Sequence, residues 1–184
     1  MARLIHLNGP PGIGKSTIAR RLVELRPGTL NLDIDQLRTF IGGWATGFEQ
    51  AGELIRPAAI AMMAAYLEQG RDVVMPQMIR SAVELDKFDA AGRAAGAELI
   101  EVFLMTDAEG SVDRFRDRGS DGSVSMWYDQ VRGIVSANGG EVYLRDCHSR
   151  LVELIRERPG SLVIESTVGR IEETFDAVRS AIGI

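Results

Sequence analysis

The chain has 184 residues, 45% of them hydrophobic and 26% charged, with a formal net charge of −5, which suits one packed domain of ordinary size. An acidic balance argues against non-specific nucleic-acid binding, which rests on clustered Lys and Arg. One cysteine, Cys147, excludes an intrachain disulfide and fits a reduced, cytoplasmic setting, and no apolar run has the length of a membrane span or a signal-peptide core.

In chain order, Arg3 to Leu7 predicts a first strand, followed at once by a Gly-rich loop. An amphipathic helix is expected from Lys15 to about Leu25, with Ile18, Leu22 and Leu25 on one face, ended by Pro27-Gly28. Thr29 to Asp33 predicts a short second strand ending in acid. A helical turn from Asp35 to Ile41 then meets the Gly42-Gly43 break. A long helix follows, roughly Gln50 to Gln69, with Pro57 as a kink or restart. Val73 to Met75 reads as the third strand, stopped by Pro76, and a helix from about Ala82 to Gly96 precedes the fourth, Glu98 to Met105. Asp107 reads as the N-cap of a helix holding Val112 and Phe115, which runs into Gly119 to Ser123. Helices over about Ser125 to Ser136 and Glu141 to Arg158, a fifth strand at Ser161 to Ile164 and a helix from Arg170 to Ile182 complete the chain.

Within this order, Gly9-Pro10-Pro11-Gly12-Ile13-Gly14-Lys15-Ser16 matches G-x-x-x-x-G-K-[ST] at every fixed position, between an apolar strand and an amphipathic helix. Gly12 and Gly14 let backbone N–H groups turn inward around phosphate oxygens, and the N-terminus of the next helix adds to that field. Gly12, Ile13, Gly14, Lys15, Ser16 and Thr17 are thus the expected triphosphate-binding residues. Lys15 reaches the β- and γ-phosphates, and the Ser16 hydroxyl is the expected Mg²⁺ ligand. The fold expected is an α/β P-loop NTPase three-layer sandwich. It has a five-stranded parallel sheet, helices on both faces and an arginine-bearing lid over about 107–128, with residues 1–184 forming one domain.

A P-loop leaves the reaction open. A GTPase would show an Asn-Lys-x-Asp base-reading motif, which is absent. A motor ATPase would place acids at the end of an apolar strand, whereas the third strand ends Val74-Met75-Pro76-Gln77. Small kinases of this class carry an acid after the second strand and a later arginine-bearing lid, and both are present.

Asp33 and Asp35 follow the second strand, at the sheet edge that faces the ligand crevice. If the chain is still extended there, both point the same way. One accepts a proton from an attacking hydroxyl while the other helps place Mg²⁺ through water, although Asp35 also suits an N-cap. Arg38 shares a face with Asp35 if a helical turn starts there. Arg114 and Arg118 share a helix face and would neutralise charge on the transferring phosphoryl group. Gly119 to Ser123 would act as the hinge. The competing reading is a solvated face paired with Asp113 and Asp117.

Over roughly Leu4 to Tyr128 the sequence resembles the kinase domain of phage-type polynucleotide 5′-kinase. It shares that resemblance with the wider group of small P-loop kinases, including chloramphenicol phosphotransferase, zeta-toxin-like kinases and gluconate kinases. The resemblance implies ATP as donor, Asp35 as general base with Asp33 in support, Arg38 as acceptor-binding residue, and Arg114 and Arg118 as lid residues on nucleotide and phosphate. That family often has an acid after the third strand, where Pro76-Gln77 stands here. The segment from Tyr128 to Arg158 does not align and is a candidate acceptor pocket.

Trp44, Trp127 and Tyr128 are candidate aromatic walls for the acceptor, and Arg80 a candidate contact for an anionic one. His6 reads as a packed core residue. Cys147 and His148 are adjacent on a helix and point apart, which argues against a shared chemistry. The function expected is ATP-dependent, Mg²⁺-assisted phosphorylation of a hydroxyl on a small molecule such as an antibiotic or sugar-like metabolite. A polynucleotide 5′-hydroxyl kinase and a non-catalytic nucleotide-dependent switch binding a protein partner are the alternatives. The acceptor and the oligomeric state stay open.

Overall fold

The computed structural model describes residues 1–117 and 126–184, the side chains of 126–128 excepted. Five parallel strands form one sheet in the order β2-β3-β1-β4-β5. They are β1 (Arg3–Asn8), β2 (Leu30–Asn31), β3 (Val73–Pro76), β4 (Glu98–Met105) and β5 (Leu162–Glu165). The helices between and after them are α1 (Lys15–Leu25), α2 (Ile34–Arg38), α3 (Phe48–Leu67), α4 (Ala82–Ala94), α5 (Ala108–Asp117), α6 (Met126–Ala137), α7 (Glu141–Glu157) and α8 (Ile171–Ala181). This is the α/β sandwich expected, with helices on both faces.

Alternation along β1 sorts the two layers. Ile5 and Leu7 pack with Ile18 and Leu22 of α1 and Phe175 and Val178 of α8. Leu4 packs on the other face with Met63 of α3, Phe88 of α4 and Leu151 of α7. Both faces of the central strand are therefore covered, as a parallel sheet requires. A smaller cluster of Val112, Val135 and Leu144 joins α5, α6 and α7 beside the main core.

Two local readings change. The second strand stops at Asn31, because Asp33 turns out of the sheet to cap α2, its carboxylate accepting from the N–H groups of Asp35 and Gln36. The cap is thus Asp33 and not Asp35. Helix α3 runs unbroken through Pro57. Pro57 and Glu53 both lie on its exposed side, where water can satisfy the carbonyl that loses its N–H partner.

Candidate active site

The loop after β1 is curled tightly enough that only glycine fits at its turning points. Gly9 has φ 140°, and a Cβ there would lie 2.2 Å from the Leu104 carbonyl oxygen on β4. Gly14 has φ 107° at the N-cap of α1, which aims the first turn of that helix, Lys15 to Thr17, into the loop. The Ile13 side chain is fully buried in the α1–α8 layer and anchors the curl. The Lys15 ammonium lies over it, donating to the carbonyls of Gly9 at 2.7 Å and Pro10 at 2.9 Å.

Lys15, Ser16 and Thr17 line one end of a cleft of about 900 Å³. Asp35 and Arg38 of α2 line the same cleft, so the phosphate loop and the proposed base share one space. Asp33 is absent from the lining. Its Oδ1 accepts from Asp35 N–H at 3.1 Å and Gln36 N–H at 3.3 Å, and the residue is only 7% exposed. The two acids that the sequence set side by side therefore do different things.

Asp35 is half-buried, with Oδ1 3.8 Å from Arg38 Nη2 and 3.4 Å from Gln77 Nε2. Burial raises its pKa above the ordinary carboxylate value. Arg38 opposes that, Asp33 reinforces it, and Lys15 and the Gln77 bond oppose it. A carboxylate so placed is tuned toward taking a proton. Arg38 itself is 6% exposed, stacked 4.0 Å from the Phe48 ring and passing over Gly52, where a Cβ would lie 2.9 Å from its Nη2. Burial lowers the pKa of that guanidinium.

Across the cleft, Arg80 follows β3. Its guanidinium reaches Cys147 Sγ at 3.3 Å, the Tyr143 hydroxyl at 3.4 Å and Asp146 at 3.7 Å. Helices α6 and α7 contribute Val131, Ile134, Val135, Tyr143 and Arg150 to the wall. The segment that could not be aligned thus forms a side of the cleft. Trp44 is not among the lining residues, and the aromatic side chain from that part of the chain that faces the cleft is Phe48. The side chains of Trp127 and Tyr128 lie outside the described residues.

Arg114 does not line the cleft either. Its guanidinium donates to the Ser166 carbonyl at 2.7 Å and the Ile13 carbonyl at 3.4 Å, bracing the back of the phosphate loop against the segment after β5. The Ser166 hydroxyl donates to the same Ile13 carbonyl at 3.2 Å. Burial lowers the Arg114 pKa. Arg116 is the residue paired with Asp113, at 3.1 Å, and with Glu141, at 2.6 Å. Arg118 and the expected hinge at Gly119 to Ser123 lie outside the described residues.

Three contributors escaped the sequence reading. Asn8, fully buried, donates from Nδ2 to the Ile79 carbonyl at 2.8 Å and accepts from Ile79 N–H at 3.1 Å and Gly9 N–H at 2.8 Å. It ties the segment after β3 to the phosphate loop. Ser166 and Gln77 are the others, and no motif marks any of the three. His6 is buried as expected, and His148 bonds the Thr106 carbonyl at 2.8 Å while Cys147 faces Arg80, so the adjacent pair points apart.

Residues 4–131 match a family model described as an AAA domain. Among solved structures the fold is similar to an inferred kinase from Chloroflexus aurantiacus J-10-fl, with TM-score 0.68, 16% identity, and coverage of 99% of this chain and 96% of that one. A tunicamycin resistance protein from Deinococcus radiodurans aligns at TM-score 0.59 and 16% identity over 100% and 97%. A gluconokinase from Sinorhizobium meliloti 1021 aligns at 0.59 and 15% over 97% and 94%. No curated protein matches the chain by sequence. Among the described residues no helix is long and apolar enough to cross a membrane.

Proposed function

The chain belongs to the AAA domain family, as a small P-loop kinase by fold, and from that premise we propose that it transfers the γ-phosphate of ATP to a hydroxyl of a small molecule. The observation that carries the reading is Asp35: a carboxylate with a raised pKa, facing the same cleft as Lys15 and Ser16. In the reaction the acceptor hydroxyl oxygen attacks the γ-phosphorus as its proton passes to an Asp35 oxygen. The new O–P bond forms as the bond from the γ-phosphorus to the ADP oxygen breaks. Lys15 and the inward N–H groups from Gly12 to Thr17 bind the triphosphate. Arg38 orients the acceptor from the α2 side and Arg80 from the other. Arg114 supports the nucleotide end, and the role of stabilising the transferring group goes to Arg118 on the resemblance to small P-loop kinases alone, since that residue lies outside the described ones.

The donor set suits Mg²⁺: Ser16 offers a hard hydroxyl oxygen at the first turn of α1, beside the glycine curl that cradles phosphate. When bound, the ion neutralises charge on the β- and γ-phosphate oxygens.

The cleft also supports a small acceptor. It is walled by α6 and α7 and, apart from Lys15 and Arg20 of α1 at the phosphate-loop end, holds Arg38, Arg56, Arg80 and Arg150 against Asp35, Glu49, Glu53 and Glu84, so the acceptor side is balanced in a way suited to a compact hydroxylated molecule more than to a polyanion. The similar proteins named for gluconate and for tunicamycin resistance point the same way. The test is radiolabelled γ-ATP with Mg²⁺ and a panel of sugars, sugar acids, hydroxylated antibiotics and 5′-hydroxyl oligonucleotides. Label should enter a small molecule and vanish with Asp35→Asn. Label entering only the oligonucleotide, or only inorganic phosphate, would overturn the reading.

A further inference from the structure

The segment after β3 carries no acid, yet it is fixed with unusual care. Gln77 is held at three points. Its N–H donates to the Met75 carbonyl at 3.1 Å. Its carbonyl is 2.7 Å from His6 Nε2. Its side-chain Nε2 donates to Asp35 Oδ1 at 3.4 Å. His6 is 1% exposed, and burial pushes its pKa down to about 4, so the ring is neutral near pH 7. A backbone carbonyl can only accept, so the single ring proton sits on Nε2 and is donated to Gln77. Alternation along β1 puts His6 and Asn8 on one face, and Asn8 clamps Ile79 two residues further on. The strand beside the phosphate loop thus sets the backbone from which Gln77 reaches Asp35.

The orientation of the amide follows from charge. An amide oxygen turned toward an ionised carboxylate would repel it, whereas the NH₂ attracts it. The other end, Oε1, is buried with no hydrogen-bond partner among the described residues. Leaving a buried acceptor unsatisfied costs stability. Gln77 is therefore poorly explained as a stabilising residue and well explained as one placed for Asp35. At 3.4 Å the bond is long, in the range from which catalytic contacts shorten once ligands arrive.

We propose that Gln77 is a positioning residue, whose amide N–H holds the Asp35 carboxylate in the cleft and so sets the geometry of the base. The proposal rests on the reading of Asp35 as that base. The contact is to the ionised form, so it favours the carboxylate, and its removal must raise the pH at which Asp35 takes a proton. Asp33, Arg38 and Lys15 also face Asp35 and stay in place in the variants below, so a difference between them reports Gln77.

The experiment is a ¹³C-carboxyl NMR titration of the full chain, with the Asp35 resonance assigned by its loss in Asp35→Asn. Gln77→Met keeps the side-chain length and removes both polar ends. The Asp35 midpoint should rise by about half a pH unit or more, with thermal stability unchanged or higher because an orphan acceptor is gone. Gln77→Glu places a second carboxylate there and should raise it further, by roughly one unit or more. Gln77→Asn, too short to reach, should behave as Gln77→Met does. A midpoint unmoved in both Gln77→Met and Gln77→Asn would overturn the proposal, as would lowered stability with no movement of the midpoint. The titration needs no acceptor, so failure to label any hydroxyl compound would sink the kinase reading and leave this measurement intact.

Discussion

The Oδ1 atom of Asp33 accepts the backbone N–H of Asp35 at 3.1 Å, so one acid of the pair builds the helical turn that presents the other. This separates their expected phenotypes. Asp33→Ala removes an N-cap and should cost about 0.5–2 kcal/mol of stability, measured by chemical denaturation. Its effect on transfer should be the smaller of the two. Asp35→Asn should leave stability near that of the wild type and cut transfer by roughly two to four orders of magnitude while ATP affinity holds within several-fold. Full activity in Asp35→Asn together with a dead Asp33→Asn would reverse the assignment.

Lys15→Ala should nearly abolish triphosphate binding or turnover. The ammonium already bonds the loop, 2.7 Å from the Gly9 carbonyl, and no other lysine lines the cleft among the described residues. Calorimetry with ATP and a transfer assay are the two readouts. Unchanged values in both would remove the phosphate loop from the mechanism.

The succession of strands and helices along the chain, the parallel sheet and the phosphate loop were legible because each has a local signal: apolar runs, helical periodicity, and Gly-x-x-x-x-Gly-Lys-Ser in its strand-to-helix setting; the order of the strands within the sheet was not among the expectations. The split between Asp33 and Asp35 was not legible. It depends on whether the chain leaves the sheet before or after Asp33, a boundary difference of two residues that reverses which side chain caps. Asn8, Gln77 and Ser166 stayed hidden for another reason. Each acts through a bond to a segment more than forty residues away, and a single polar residue carries no spacing to announce such a partner. The wall from α6 and α7 was expected only as a candidate pocket over Tyr128 to Arg158, and which of its side chains reach the cleft is decided by tertiary packing.

The buried His6 makes stability depend on pH. Its pKa is lowered from 6.5 to about 4 in the folded chain, chiefly by burial. Between those values the unfolded chain binds the proton and the folded one does not, so folding is opposed there. The stability contribution is complete above about pH 6.5 and is lost as pH falls toward 4. The span corresponds to a loss on the order of 3 kcal/mol. Urea denaturation at several pH values should show this loss in the wild type and a shallower dependence in His6→Gln. Equal slopes for the two proteins would contradict it.

Arg114 is expected to act on the nucleotide end rather than on the transferred group. It ties the Ile13 carbonyl of the phosphate loop to Ser166, on the segment after β5. Arg114→Ala should loosen that brace and raise the KM for ATP with a smaller change in kcat, whereas Arg118→Ala should lower kcat with little change in that KM. Steady-state kinetics in varied ATP distinguish them. The same kcat-only defect from both variants would place Arg114 with the reacting phosphate.

Gly52 provides the sharpest test of how the acceptor side is built. It lies within α3, where replacing Gly by Ala ordinarily gains up to about 1 kcal/mol of helix propensity. Here the added Cβ would stand 2.9 Å from Arg38 Nη2 and 3.2 Å from Arg38 Cζ. That guanidinium is stacked on Phe48 and 3.8 Å from Asp35, so it cannot retreat without leaving one of them. Gly52→Ala should therefore keep or nearly keep the melting temperature while raising the KM for the acceptor that takes label, with ATP affinity unchanged. Gly52→Val, bulkier and β-branched, should deepen the defect. If Gly52→Ala turns over like the wild type, Arg38 has room to move and its buried position does not set the acceptor geometry. If stability falls instead and KM holds, the glycine serves only the packing of α2 on α3.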